Sequence, residues 1–123
     1  MTHKVFEESQ VAAALHHVRD FLKYSETPWQ ELADDPACHG QGLCLDASEE
    51  FVAWCKQKQV LMNDGLRIAE LGWFAGNRTY AGSVYHYVVV VWGNVIIDLT
   101  ARQFDDDLPF PHVWVLPIKR GES

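Results

Sequence analysis

His86-Tyr87-Val88-Val89-Val90-Val91-Trp92-Gly93-Asn94-Val95-Ile96-Ile97-Asp98-Leu99 is the stretch that decides the fold. Val88 to Val91 run without a polar interruption, the pattern of a strand buried on both faces. Gly93-Asn94 turns the chain, and Val95 to Leu99 returns as its antiparallel partner. A hairpin this apolar has to be covered, and the chain carries two amphipathic segments to do it. The first, Glu7 to Tyr24, makes about five helical turns and places Val11, Ala14, Leu15, Val18, Phe21 and Leu22 on one side. The second starts at Cys44, keeps Ala47, Phe51, Val52, Trp54 and Cys55 in helical phase, and ends near Lys58. The expected class is therefore α+β, with an antiparallel sheet packed against an N-terminal helix and the Cys44 helix.

Three residues in this frame carry chemistry. Cys44 follows the Gly-containing run His39-Gly40-Gln41-Gly42-Leu43 and falls in the first turn of its helix. Unpaired backbone N–H groups and the positive end of the helix dipole there favour a thiolate. The same amides, with the Gln41 side chain, are candidate donors to an oxyanion. Asp46, Glu49 and Glu50 oppose the nucleophile by raising a thiol pKa, so a cationic partner is needed. His86, at the start of a stiff strand, is that partner, and Asp98 on the next strand is the residue to orient the ring.

Strand parity tests this arrangement. A two-residue turn at Gly93-Asn94 pairs Trp92 with Val95 and Asp98 with Val89, leaving His86 and Asp98 on opposite faces. A three-residue connection, or one bulge, moves the register by one and makes them diagonal neighbours on one face. Such an irregularity is expected; without it, Gln103, Asp105, Asp106 or Asp107 would have to orient His86. The plainer roles are a strand-end histidine for His86 and, for Asp98, a cap on the Thr100-Ala101-Arg102 turn.

Cys at a helix start, His on a strand and Asp on the next strand resemble the transglutaminase-like branch of the papain-like cysteine hydrolase superfamily. Gly42-Leu43-Cys44-Leu45-Asp46-Ala47-Ser48 resembles the nucleophile segment, and His86 through Asp98-Leu99-Thr100-Ala101-Arg102-Gln103-Phe104 resembles the histidine and aspartate strands of small papain-fold domains. The likeness spans about the last two-thirds of the chain. It implies a papain-like fold with Cys44 as nucleophile, His86 as general base and Asp98 as orienting acid. Gln41, three residues before Cys44, stands closer than the papain pattern places its oxyanion glutamine. The implied chemistry is amide hydrolysis or acyl transfer through a thioester, of peptidase, glutamine deamidase or transglutaminase type, on protein or peptide substrates. Domains of this kind include bacterial toxin or effector modules and phage-borne enzymes.

The remaining features bound the reading. A chain of 123 residues with 48% hydrophobic residues and five Trp forms one domain, residues 1–123, with a core of its own. The net charge of −7, with ten Lys and Arg in no cluster, argues against nucleic acid and anionic membranes as partners. Met1 to Glu8 lacks an apolar signal core, and Tyr87 to Trp92 is too short to span a bilayer, so the expected location is cytoplasmic, or a target cell into which the protein is delivered. Three cysteines suit a reducing compartment, and a Cys38–Cys44 bridge would disable the site. Cys55, on the inner helical face, is expected in the core. Neither a metal site nor a cofactor is expected, since no C-x-x-C pair, phosphate loop or deaminase signature is present, and the adjacent His16 and His17 diverge on a helix. Leu66 to Trp73 reads as a strand, 76–83 as a loop before His86, and His112 to Pro117 as an edge strand after Leu108-Pro109-Phe110-Pro111. Thr27 to Gly42 reads as loop with at most a short helical turn at Gln30 to Leu32. Trp73, Phe74, Tyr80, Tyr85 and Tyr87 flank the approach to His86. Of these, Trp73 and Tyr85, with Leu45 beside the nucleophile, are the candidate substrate contacts. The alternative is a papain-fold module without catalysis that binds a peptide through the aromatic loop or a sheet edge.

Overall fold

A computed structural model describes residues 2–37, 39–71, 86–103 and 107–115. Among them are three α-helices, α1 (Thr2–Tyr24), α2 (Trp29–Asp34) and α3 (Cys44–Lys58), and four strands, β1 (Arg67–Leu71), β2 (His86–Val91), β3 (Val95–Asp98) and β4 (His112–Val115). The strands form one antiparallel sheet in the order β1-β2-β3-β4. The architecture is α+β, with α3 against β2 and β1 and α1 against β3 and β4.

The sheet divides its apolar side chains by parity. Val89, Val91, Val95 and Ile97 join Ala14, Val18 and Phe21 of α1 and Ala47, Phe51 and Cys55 of α3 in the main core. Val88, Val90 and Ile96 fill the other face with Ala69 and Trp114. Both faces of the hairpin are buried, as an unbroken β-branched run requires. Phe21 and Phe51 meet edge to face at 5.2 Å, which joins the two long helices over the sheet.

Helix bounds follow local chemistry. α1 begins at Thr2, five residues before the expected Glu7, because nothing between Thr2 and Tyr24 is a Gly or Pro that would stop it. α2 is a six-residue helix where only a turn was expected. Pro28 precedes it, Trp29 and Ala33 are buried one turn apart, and Asp35-Pro36 ends it. α3 ends where Gln59 turns left-handed (φ 59°) and Val60 N–H reaches Cys55 O at 3.0 Å. β1 and β4 lie within the expected strands; residues 72, 73, 116 and 117 fall outside the described part.

The hairpin connection is Trp92-Gly93-Asn94, closed by the pair Val91 and Val95. Trp92 (φ 57°) and Gly93 (φ 80°) are both left-handed. That conformation costs a non-Gly residue about 1 kcal/mol or more, and Trp92 N–H is held in it by Asp64 O at 2.7 Å. The connection is the three-residue one that parity demands.

Candidate active site

The register that places His86 and Asp98 follows from the connection. Val91 opposes Val95, Val90 opposes Ile96 and Val89 opposes Ile97. One further step sets Asp98 beside Val88, two residues from His86 and on the same face. The side chains meet: His86 Nε2 is 2.6 Å from Asp98 Oδ2, and both side chains are wholly buried. The other carboxylate oxygen, Oδ1, accepts the Thr100 N–H at 3.0 Å. Asp98 thus orients the imidazole and also caps the turn at Thr100, so the two roles considered for it are held by one carboxylate with two oxygens.

Cys44 opens α3 with no side chain capping the helix, because Leu43 stands at the cap position. The missing cap costs about 1 kcal/mol relative to Ser or Asp and leaves first-turn N–H groups open to other acceptors. The thiol is half-buried. Burial pushes its pKa up, but the His86 hydrogen bond, the Tyr87 N–H, the His86 charge and the Leu45 N–H more than offset it, and the net shift is downward. Asp46 and Glu49 are exposed, and Glu50 accepts from Thr27 Oγ1. α3 is pinned to β2 here, for Ser48 Oγ, one turn after Cys44, donates to Tyr87 O at 3.4 Å.

For His86, burial alone lowers the pKa, while the Asp98 and Cys44 hydrogen bonds and charges raise it, leaving it at about 9. The thiol and the imidazole also act on each other, each shifting the other's pKa toward the charged form. The opposite shifts of thiol and imidazole favour transfer of the proton from sulfur to nitrogen. Cys55, by contrast, is fully buried and its pKa is pushed up to about 12, which keeps it an inert core thiol.

The turn before Cys44 rests on the turn after Asp98. Gly40 is buried at φ +80°, and a Cβ there would lie 3.3 Å from Thr100 Cγ2. Gln103 Nε2 donates to Thr100 Oγ1 at 3.0 Å. Arg102 pairs with Asp34 of α2, and its Nε donates to Leu108 O at 2.8 Å. His39 Nδ1 lies 2.8 Å from Ala33 O, which fixes the other end of the Gly40 turn to α2.

Cys44, His86 and Asp98 are therefore brought together. Gln41 is exposed on the turn before Cys44, and Leu45, next to the thiol, is 38% exposed. Trp73 and Tyr85, with Phe74, Tyr80 and residues 104–106, lie outside the described residues, as does Cys38. Cys44 and Cys55 are free thiols. The Asp98 cap on the Thr100 turn was read from the sequence, but the approach of Gly40 to Thr100 was not, since no local pattern signals it. A groove of about 370 Å³ beside Tyr24, Glu50 and Trp54 includes none of the three. Among the described residues, no group of three or more His, Cys, Asp or Glu is placed to hold a metal ion, and no helix is long and apolar enough to cross a membrane. No protein-family model, curated protein or solved structure matches the chain.

Proposed function

We propose that the chain is a cysteine-dependent amide hydrolase or acyltransferase with a papain-like, transglutaminase-like fold, acting on protein or peptide substrates. The observation that carries this reading is the buried His86–Asp98 hydrogen bond of 2.6 Å, with the Cys44 thiol near enough to the same ring for each to shift the other's pKa toward its charged form. A nucleophile at a helix start, packed on an antiparallel sheet whose next strands bring the histidine and the acid, supports the papain-like assignment. His86 and Asp98 facing apart would have favoured the peptide-binding alternative, and they share a face.

In this reading the Cys44 thiolate attacks the amide carbonyl carbon and forms the C–S bond. First-turn N–H groups of α3 are the nearest fixed donors for the oxyanion. The imidazolium gives its Nδ1 proton to the departing nitrogen as the C–N bond breaks, and Asp98 stabilises the ring charge throughout. Water or an amine then attacks the thioester, His86 takes the proton, and the thiolate returns. Leu45 presents an apolar contact beside the sulfur. Such a thiol works in a reducing compartment, whether that of the producing cell or of a target cell.

Incubation with unfolded casein and a fluorescent primary amine separates the outcomes. Ammonia release alone marks deamidation, amine incorporation marks transamidation, and new N-termini mark peptide hydrolysis; each should vanish in Cys44→Ala. An acid-quenched adduct on Cys44 by intact mass is expected in all three cases. Absence of all of them in the native protein would contradict the reading.

A further inference from the structure

We propose that Thr100 is a positioning residue for the reacting pair, seating the turn that carries Cys44 with its methyl group and the acid that holds His86 with its backbone N–H. The inference rests on the function proposed above, since it gives Thr100 a task only if Cys44 and His86 react together.

Thr100 is 1% exposed, and each of its groups is engaged. Its N–H donates to Asp98 Oδ1 at 3.0 Å, and its Oγ1 accepts from Gln103 Nε2 at 3.0 Å. Cγ2 lies beside Gly40, where an added Cβ would stand 3.3 Å from it. Gly40 in turn governs Cys44. Its carbonyl accepts Leu43 N–H at 3.1 Å, and Leu43 O accepts Ala47 N–H at 2.9 Å, so the turn and the first turn of α3 form one hydrogen-bonded unit. A shift of Gly40 is passed to Cys44, which lies inside that unit. Both halves of the site therefore meet at one residue, the Cys half at a methyl that fills the space beside Gly40 and the His–Asp half through a hydrogen bond. Placement within a few tenths of an ångström decides whether a thiol and an imidazole share a proton.

Two substitutions separate the groups of Thr100. Thr100→Ser keeps the N–H and the hydroxyl but removes the methyl; Thr100→Val keeps the methyl and removes the hydroxyl. The test is the pH dependence of Cys44 carbamidomethylation, followed by peptide mass spectrometry, with thermal unfolding of each variant measured in parallel. In Thr100→Ser the reactive limb should move up toward the free-thiol value of about 8.5, with labelling at pH 7 falling several-fold, while Thr100→Val keeps the native limb. A purely structural role would lower the unfolding temperature of both variants and leave the limb of the folded protein where it was, and that result would overturn the proposal. If the native protein itself shows no limb below the free-thiol range, the Cys44–His86 pair is not activated, and the function proposed above falls along with the role of Thr100. A native limb that Thr100→Ser does not move overturns the role of Thr100 alone.

Discussion

His86 and Asp98 meet at 2.6 Å across a hairpin although twelve residues of chain separate them, and both side chains are buried. The contact exists because Trp92 enters the left-handed region and makes the connection three residues long. With one residue fewer, the carboxylate would face the other side of the sheet.

Removing the charge of Asp98 while keeping its shape is the sharpest probe of that contact. Asp98→Asn should lower the His86 pKa from about 9 and return the proton to sulfur. Acyl-transfer activity should fall by about 10² to 10⁴, the range of a lost acid–base partner. Asp98→Ala should also destabilise the fold by about 1–3 kcal/mol, because the buried His86 Nε2–H and the Thr100 N–H lose their acceptor; urea denaturation checks it.

Stability against pH carries opposing contributions from the pair. His86, raised to about 9, adds stability that is fully present below its unfolded value of about 6.5 and is lost as pH rises through about 9. Cys44, lowered, adds stability present above its unfolded value of about 8.5 and lost as pH falls through the lowered folded value. Between about 6.5 and 8.5 the two slopes oppose, since the proton leaves sulfur for nitrogen without net uptake. The native protein should therefore show a shallow slope there by chemical denaturation, and Cys44→Ala, which keeps Asp98 beside His86, should lose stability more steeply as pH rises.

Glu50 separates fold from chemistry. Its carboxylate accepts from Ser25 Oγ, from Thr27 Oγ1 at 2.9 Å and from Trp29 Nε1 at 3.2 Å, tying α3 to the α1–α2 connection. Glu50→Ala orphans those donors and should cost about 1–3 kcal/mol, while the pH profile of Cys44 labelling stays native.

Core and rim should behave differently. Phe51→Ala removes a fully buried ring in contact with Phe21 and Trp54 and should cost about 3–5 kcal/mol in denaturant unfolding. Leu45→Ala, at a residue 38% exposed, should change stability by less than about 0.5 kcal/mol and raise KM for a peptide substrate more than it lowers kcat.

Gly40→Ala places a side chain at φ +80° and against Thr100. A loss of about 1–2 kcal/mol is expected from the backbone alone. Differential scanning calorimetry reads it directly.

Much of this was legible in the residues. The Cys44 helix declared both ends, by the glycine turn before it and the loss of apolar phase after Lys58. The hairpin declared itself by its valines. The length of its connection did not, because Gly93-Asn94 looks like a complete two-residue turn and nothing in a tryptophan announces a positive φ; only the demand that His86 and Asp98 share a face pointed to a third residue. The start of α1 was missed because helix signals fade where no cap or breaker stands. The seating of Gly40 on Thr100 joins positions sixty residues apart, and no local pattern encodes such a contact.

The central claim is an activated Cys44–His86 pair, and the rate of Cys44 alkylation against pH tests it most directly, with Cys55 as internal control and His86→Ala as the comparison. The account predicts rapid Cys44 labelling that persists well below the free-thiol value of about 8.5, is lost with His86, and leaves Cys55 unlabelled until the protein unfolds. Labelling of Cys44 that follows the free-thiol curve, or that is indifferent to the loss of His86 in a folded variant, would contradict it.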